Sequence, residues 1–182
     1  MDEIELRNLI HKVKSYQEVI QNTLEYRKIW KESLKDKIIE DLELMVKVSG
    51  LKAKVITKSQ IENLEAIVVT LGEQRSGLFH KVNEDIQRHM IKHNGSLMYQ
   101  QLFNGKIMVL INYPAIEDYG QPRPPKTVAI YRPEELKEPY LIRHMEQFVT
   151  EITQAEDFDD DEPSQKIGFT LNLQDQEGEY NE

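Results

Sequence analysis

Apolar residues recur at steps of three and four along the first fifty positions, which is the spacing of one helical face. They form two stripes: Leu6, Leu9, Val13, Tyr16, Ile20 and Leu24, then Trp30, Leu34, Ile38, Leu42 and Met45. The segment contains neither Gly nor Pro before Gly50, and a Gly commonly ends a helix. The pattern predicts a helical arm over residues 1–50, either one bent helix or a hairpin of two helices joined near Asn22–Glu25.

Both stripes of this arm need a surface to pack against, because an amphipathic helix is stabilised mainly by burying its apolar face. Packing within the fold is the main expectation. A helix of ~45 residues extends ~70 Å, however, and would overhang a small domain. A helical hairpin or a homodimer would cover the overhang. We therefore expect a protein that self-associates, most simply as a homodimer.

After the arm, the apolar spacing changes from helical to alternating. Lys54–Ile61 alternates, and Leu64–Leu71 is rich in Ile and Val, which favours two strands. The alternative is a helix over residues 59–71, because Ser59-Gln60-Ile61-Glu62 fits a capping box. The β-branched run Ile67-Val68-Val69 favours the strands.

The middle of the chain predicts a loop, a helix and a hairpin. Gly72–Gly77 is typical of a loop. Apolar residues at helical spacing predict a helix over Lys81–His93, which Asn94-Gly95 would end. The dipeptide Asn104-Gly105 favours a type I′ turn, so a hairpin should join the segments on either side of it. Those segments are Ser96–Phe103 and Lys106–Tyr113.

Prolines divide the next part of the chain into a loop, a strand and a C-terminal helix. Pro114–Pro125 predicts a loop, and Lys126–Tyr131 a further strand. Pro133 with two following acids predicts a helix start. Pro139 should lie in an early turn, or separate a short helix from a longer one over Tyr140–Gln154. The chain is therefore predicted to be α+β, with a mainly antiparallel sheet and one inserted helix in a domain spanning 51–155.

The net charge of −9 belongs to the C-terminal end. Residues 156–182 carry ten acids and one base, whereas residues 1–155 are balanced. Runs of like charge repel, so we expect an acidic, largely disordered tail. Lys166–Leu173 differs, because its apolar residues alternate as in a strand, or in a peptide that binds a sheet edge. These residues are Ile167, Phe169, Leu171 and Leu173.

Composition excludes several functions. The chain has no cysteine, which excludes disulfides, thiolate nucleophiles and Cys-based metal sites. The acidic N-terminus lacks the layout of a signal peptide, and the apolar runs are too short to span a bilayer. A neutral body does not favour nucleic-acid binding, which needs clustered bases. We therefore expect a cytoplasmic protein that binds neither membrane nor nucleic acid.

Histidines supply the main candidate metal site; Asp157–Glu162 could also gather calcium but lacks the glycine and spacing of an EF-hand loop. One segment contains His80, Glu84, His89 and His93. In a helix, His89 and His93 would share a face. However, the spacing is not His-Glu-x-x-His, no third ligand is indicated, and Arg88 and Lys92 are adjacent bases. We predict no metal and no cofactor, and keep a small metal-dependent or hydrolytic enzyme built on His80–His93 as the alternative.

No other catalytic pattern is present in the sequence. The serines lack a Gly-x-Ser-x-Gly frame. Pro122 and Pro125 have the Pro-x-x-Pro spacing that polyproline-binding domains recognise, although a stiff loop also explains them. We therefore predict a non-enzymatic interaction or assembly protein of unknown pathway. Its candidate partner-binding residues are Pro122, Pro125, Ile167, Phe169, Leu171 and Leu173.

Overall fold

The computed structural model describes residues 3–81 and 87–157, and it confirms the α+β class. The helical elements are α1 (Glu3–Ile29), a π-helical turn (Trp30–Leu34), α2 (Lys35–Ser49), a 3-10 turn (Pro133–Glu135) and α3 (Glu138–Glu156). The strands are β1 (Lys54–Lys58), β2 (Ala66–Thr70), β3 (Glu73–Lys81), β4 (Gln87–His93), β5 (Ser96–Gln101), β6 (Ile107–Asn112), β7 (Ala115–Ile116) and β8 (Lys126–Tyr131).

The arm is one long helix that runs through α1, the π turn and α2. It ends at Gly50, which has a positive φ of 71°, as predicted. The hairpin alternative is wrong, because residues 22–25 lie inside α1. A π turn contains more residues than an α-helical turn, which changes the direction of the side chains that follow it. The π turn contains the first two residues of the second stripe, Trp30 and Leu34, and both are buried.

The second stripe belongs to the main core. Five antiparallel strands are arranged in the order β1-β2-β5-β6-β8. One face of this sheet packs against the π turn, α2 and α3 through a continuous cluster of buried side chains. Its largest fully buried members are Trp30, Ile38, Leu42, Ile67, Leu97, Tyr99, Ile107, Ile111, Leu141 and Phe148. The prediction of strands at β1 and β2 is confirmed, and the alternative of a helix over residues 59–71 is wrong.

The predicted loop at Gly72–Gly77 and the predicted inserted helix at Lys81–His93 are both wrong. Strands β3 and β4 pair there as an antiparallel ribbon, to which β7 adds a third strand. The ribbon continues the pairing of β2 with β5, because Leu71 and Asn94 N–H donate to the Gly95 and Gly72 carbonyls at 3.2 and 3.0 Å. Pairing of β4 with the neighbouring β3, in continuation of the β2–β5 pairing, overrides the weak helical spacing of this segment. Residues 82–86 lie outside the described part of the chain.

The remaining predictions for helices and strands are largely confirmed. The exceptions are the turn type at Asn104-Gly105, the predicted loop Pro114–Pro125, which contains β7, and Pro133, which begins a 3-10 turn. Strands β5 and β6 form the predicted hairpin, and β8 and α3 follow, with Pro139 in the first turn of α3. Gly105 has a φ of 76°, but Asn104 does not have the positive φ that a type I′ turn requires. The turn is instead closed by the Gly105 N–H, which donates to the Leu102 carbonyl at 2.8 Å. The predicted strand at 166–173 lies outside the described residues.

Candidate functional site

The N-terminal half of the long helix extends beyond the body. Every residue from Arg7 to Asn22 is exposed. The body meets the helix at Thr23–Arg27, where the Arg27 guanidinium donates to the Phe103 carbonyl at 2.6 Å. Gly105 approaches so closely that a Cβ there would lie 2.7 Å from the Cβ of Tyr26. The sixteen residues of the overhang span ~24 Å without support from the body.

The first apolar stripe lies along this overhang and is open to solvent. Leu9, Ile10, Val13, Tyr16, Val19, Ile20 and Leu24 are each between 45% and 66% exposed. Scattered exposed apolar residues are common on proteins, but a continuous row of seven along one helix is a candidate binding surface. A helix with such a face can pair with another helix of matching pattern.

A groove lies between the C-terminal half of α2 and the helix α3. It has a volume of about 950 Å³. Its apolar lining includes Leu44, Val48, Ile142 and Val149, which are 60%, 78%, 42% and 42% exposed. Its charged lining consists of Asp41, Glu138, Glu146 and Lys52. The groove is therefore an apolar channel with a mainly acidic border.

The sheet face that points away from the helices is a third apolar surface. Side chains alternate across a strand, so the residues between the core positions point outward. Ile56, Val68, Met98 and Leu110 form one row of neighbours across four strands, in which Ile56 is exposed and Val68 is buried. Ile130, in the next row beside Met108, is 53% exposed. Neither α2 nor α3 covers this face, since both pack on the opposite one.

The candidate histidines do not form a metal site in the described residues. His93 Nδ1 lies 3.1 Å from Glu73 Oε1, and the His89 ring packs on the Phe79 ring at 4.4 Å between centroids. Glu84 lies outside the described part of the chain. Within residues 3–81 and 87–157, no group of three or more His, Asp or Glu side chains is arranged to hold a metal ion.

Sequence reasoning missed the role of His144, which lies on the buried face of α3. Its Nδ1 lies 3.2 Å from the Tyr99 hydroxyl, and its Nε2 lies 3.1 Å from the Tyr131 hydroxyl. Burial lowers the pKa of His144 to about 4, so the ring is neutral at pH 7. A neutral imidazole has one donor and one acceptor, so one hydroxyl donates to it and the other accepts. His144 therefore fastens α3 to the sheet.

The proline motif lies in an exposed loop. Contacts among Arg123, Tyr113, Glu151 and Lys126 hold this loop to the body. Pro122 and Pro125 are both exposed. Between them, the Arg123 guanidinium lies 3.8 Å from the centre of the Tyr113 ring. The Tyr113 hydroxyl donates to Glu151 at 2.6 Å, and Lys126 also donates to Glu151. These hydrogen bonds hold the pKa of the Glu151 carboxyl below its usual value.

The chain matches no known protein family, no curated protein and no solved structure. Among the residues that the structure describes, no helix has the length and apolarity needed to cross a membrane. The surfaces described above are therefore the basis for inferring a function.

Proposed function

We propose that this chain is a non-enzymatic interaction or assembly protein that acts in the cytoplasm as a homodimer, paired through the overhanging half of its N-terminal helix. The observation that carries the proposal is the exposed apolar stripe between Leu9 and Leu24. A second copy of the chain supplies a matching helix with no further partner required. Closed two-fold dimers are also the commonest oligomers among soluble proteins.

The spacing of the stripe supports a coiled coil. Leu6, Val13 and Ile20 are separated by seven residues, and so are Leu9 and Tyr16. These two series occupy the a and d positions of a heptad repeat, which form the seam between two helices. Two of the three a positions are β-branched, and Leu9 is at d, which favours two parallel helices. Parallel pairing would place both bodies at the same end of the coil.

The dimer would display the remaining partner-binding candidates in duplicate. Pro122 and Pro125 are exposed on each body, in a loop whose Arg123 is packed on Tyr113. Two copies held together raise the effective concentration of each weak motif, so a partner with two sites binds more tightly.

Disulfide trapping tests the parallel pair directly, since the natural chain has no cysteine. Equivalent d positions face each other across a parallel pair, at a separation that suits a disulfide. We expect Leu9→Cys and Tyr16→Cys to form covalent dimers on mild oxidation. Ser15→Cys, which places the same thiol outside the seam, should not. Light scattering of the unoxidised natural chain should give twice the 21.4 kDa chain mass.

The outcomes separate the proposal from its rivals. A mass of one chain at every concentration would contradict self-association. Equal cross-linking of Ser15→Cys would show that the disulfides form by random collision. A dimeric mass without cross-linking at Leu9→Cys or Tyr16→Cys would place the dimer contact elsewhere or make the helices antiparallel.

A further inference from the structure

We infer that the groove between α2 and α3 is the binding site for the chain's own tail segment Ile167–Leu173. This inference concerns a different surface from the dimer stripe. The groove is lined by apolar side chains that a single chain leaves open, among them Val48 at 78% exposure. The tail segment presents four apolar residues on one edge when extended. Binding of the tail segment in the groove would therefore bury both apolar surfaces together.

The two surfaces match in length. The groove is lined by α3 residues from Glu138 to Thr150, a helical wall of ~18 Å at 1.5 Å per residue. Ile167–Leu173 would span ~20 Å in extended form at 3.3 Å per residue. The apolar edge of the tail can therefore contact the wall along its whole length.

The connection between them is long enough. The tail leaves α3 at Glu156, and the far end of the groove wall lies at Glu138, ~27 Å back along the same helix. Nine residues separate Asp157 from Ile167, and a chain of that length can reach ~33 Å. Attachment to α3 holds the segment near the groove at high effective concentration, so even a weak contact is populated.

Charge determines which part of the tail can enter. Three acids and one base line the groove: Asp41, Glu138, Glu146 and Lys52. The acidic run from Asp157 to Glu162 would be repelled by this border. Residues 163–174 contain no acid and a single base, Lys166. The border therefore admits the non-acidic stretch that carries the apolar edge, and keeps the acidic connection in solvent.

Methionine methyl groups provide reporters for the test. Met45 and Met145 line the groove, whereas Met98 and Met108 lie on the outer sheet face. We would attach a nitroxide to Asn172→Cys, a unique thiol opposite the apolar edge, in the full-length chain with labelled methionine methyls. We expect the Met45 and Met145 signals to lose most of their intensity, while the Met98 and Met108 signals keep theirs.

Two charge variants test whether the apolar edge of the tail makes the contact, and one dilution tests whether the tail binds its own chain. Leu171→Asp, added to the spin-labelled chain, should restore the Met45 and Met145 signals, whereas Thr170→Asp adds the same charge on the other edge and should leave them broadened. Dilution with unlabelled, spin-free chain should not weaken the effect, because the tail binds its own groove. Loss of the effect on dilution, broadening of Met98 and Met108 instead, or no broadening at all would each overturn the inference.

Discussion

The substitution Ile20→Asp should separate the proposed dimer. Ile20 is 47% exposed in the single chain, so pairing would bury about half of its side chain. Full burial of an Ile contributes about 1.5–3 kcal/mol, so half of it contributes about 1 kcal/mol per copy and about 2 kcal/mol per dimer. A truncation to Ala at this position would remove most of that amount.

Aspartate adds a second and larger cost. Ile20 occupies an a position, so the two carboxylates would face each other across the seam. Each must lose water or take up a proton, and burial of an unpaired charge costs several kcal/mol. With the lost apolar contact, the total is at least about 4 kcal/mol, which corresponds to roughly a thousandfold weaker dimer.

Sedimentation velocity over a wide concentration range measures this change. Asn22→Asp is the matched control, because it puts the same residue on the same exposed part of α1 but on the opposite face. Circular dichroism should show that both variants keep α2 and α3 folded. If Ile20→Asp sediments like the natural chain, or if Asn22→Asp dissociates equally, the stripe is not the dimer contact.

Three further substitutions test the fold that supports these surfaces. Gly105→Ala should lower the free energy of unfolding by about 2 kcal/mol, because it adds strain at positive φ and a clash with the arm. The loss should exceed that of Gly77→Ala, where the added Cβ meets open space and only the positive φ acts. Equal losses in denaturant titrations would contradict the close contact between Gly105 and the arm. His144 has a folded pKa of about 4 against 6.5 unfolded, so its stability contribution is complete above pH 6.5 and falls by up to about 3 kcal/mol as the pH drops to 4. His144→Gln should remove that part of the pH dependence, and an unchanged slope would refute the assignment. Glu65→Ala removes the acceptor that lies 3.0 Å from the Trp30 indole nitrogen. The free energy of unfolding should fall by about 1–3 kcal/mol, and the fluorescence of this single tryptophan should change. Unaltered emission and stability would show that the hydrogen bond is dispensable.

Local signals predicted most of the fold. The helical spacing before Gly50, the Asn104-Gly105 dipeptide and Pro139 each act within a few residues of their own position, so the sequence displays them directly. The β3–β4 ribbon was missed because it continues the pairing of β2 with β5, two strands that are far apart in sequence. Its spacing at Lys81–His93 also fits a helix, and only the continued pairing of β2 with β5 selects the strand.

The candidate surfaces were only partly predictable, for the same reason. The sequence shows two stripes, but exposure of the first depends on where the β5–β6 turn meets the helix, at Thr23–Arg27. The groove requires α2 and α3 to lie side by side, although they are far apart in sequence. His144 shares helical spacing with Leu141 and Phe148, a signal of its core position that is visible only once α3 is aligned on the sheet.

The pairing of β2 with β5 also affects how this chain could vary. Thr70 lies directly opposite Ser96, so the described residues 71–81 and 87–95 extend, in topological terms, the end of one hairpin. The entropy lost on closing such a loop rises only slowly with its length. The ribbon can therefore be lengthened while the order of the five-stranded sheet stays the same, whereas trimming it away would also remove the strand with which β7 pairs. It is therefore a suitable place for an experimenter to insert a reporter.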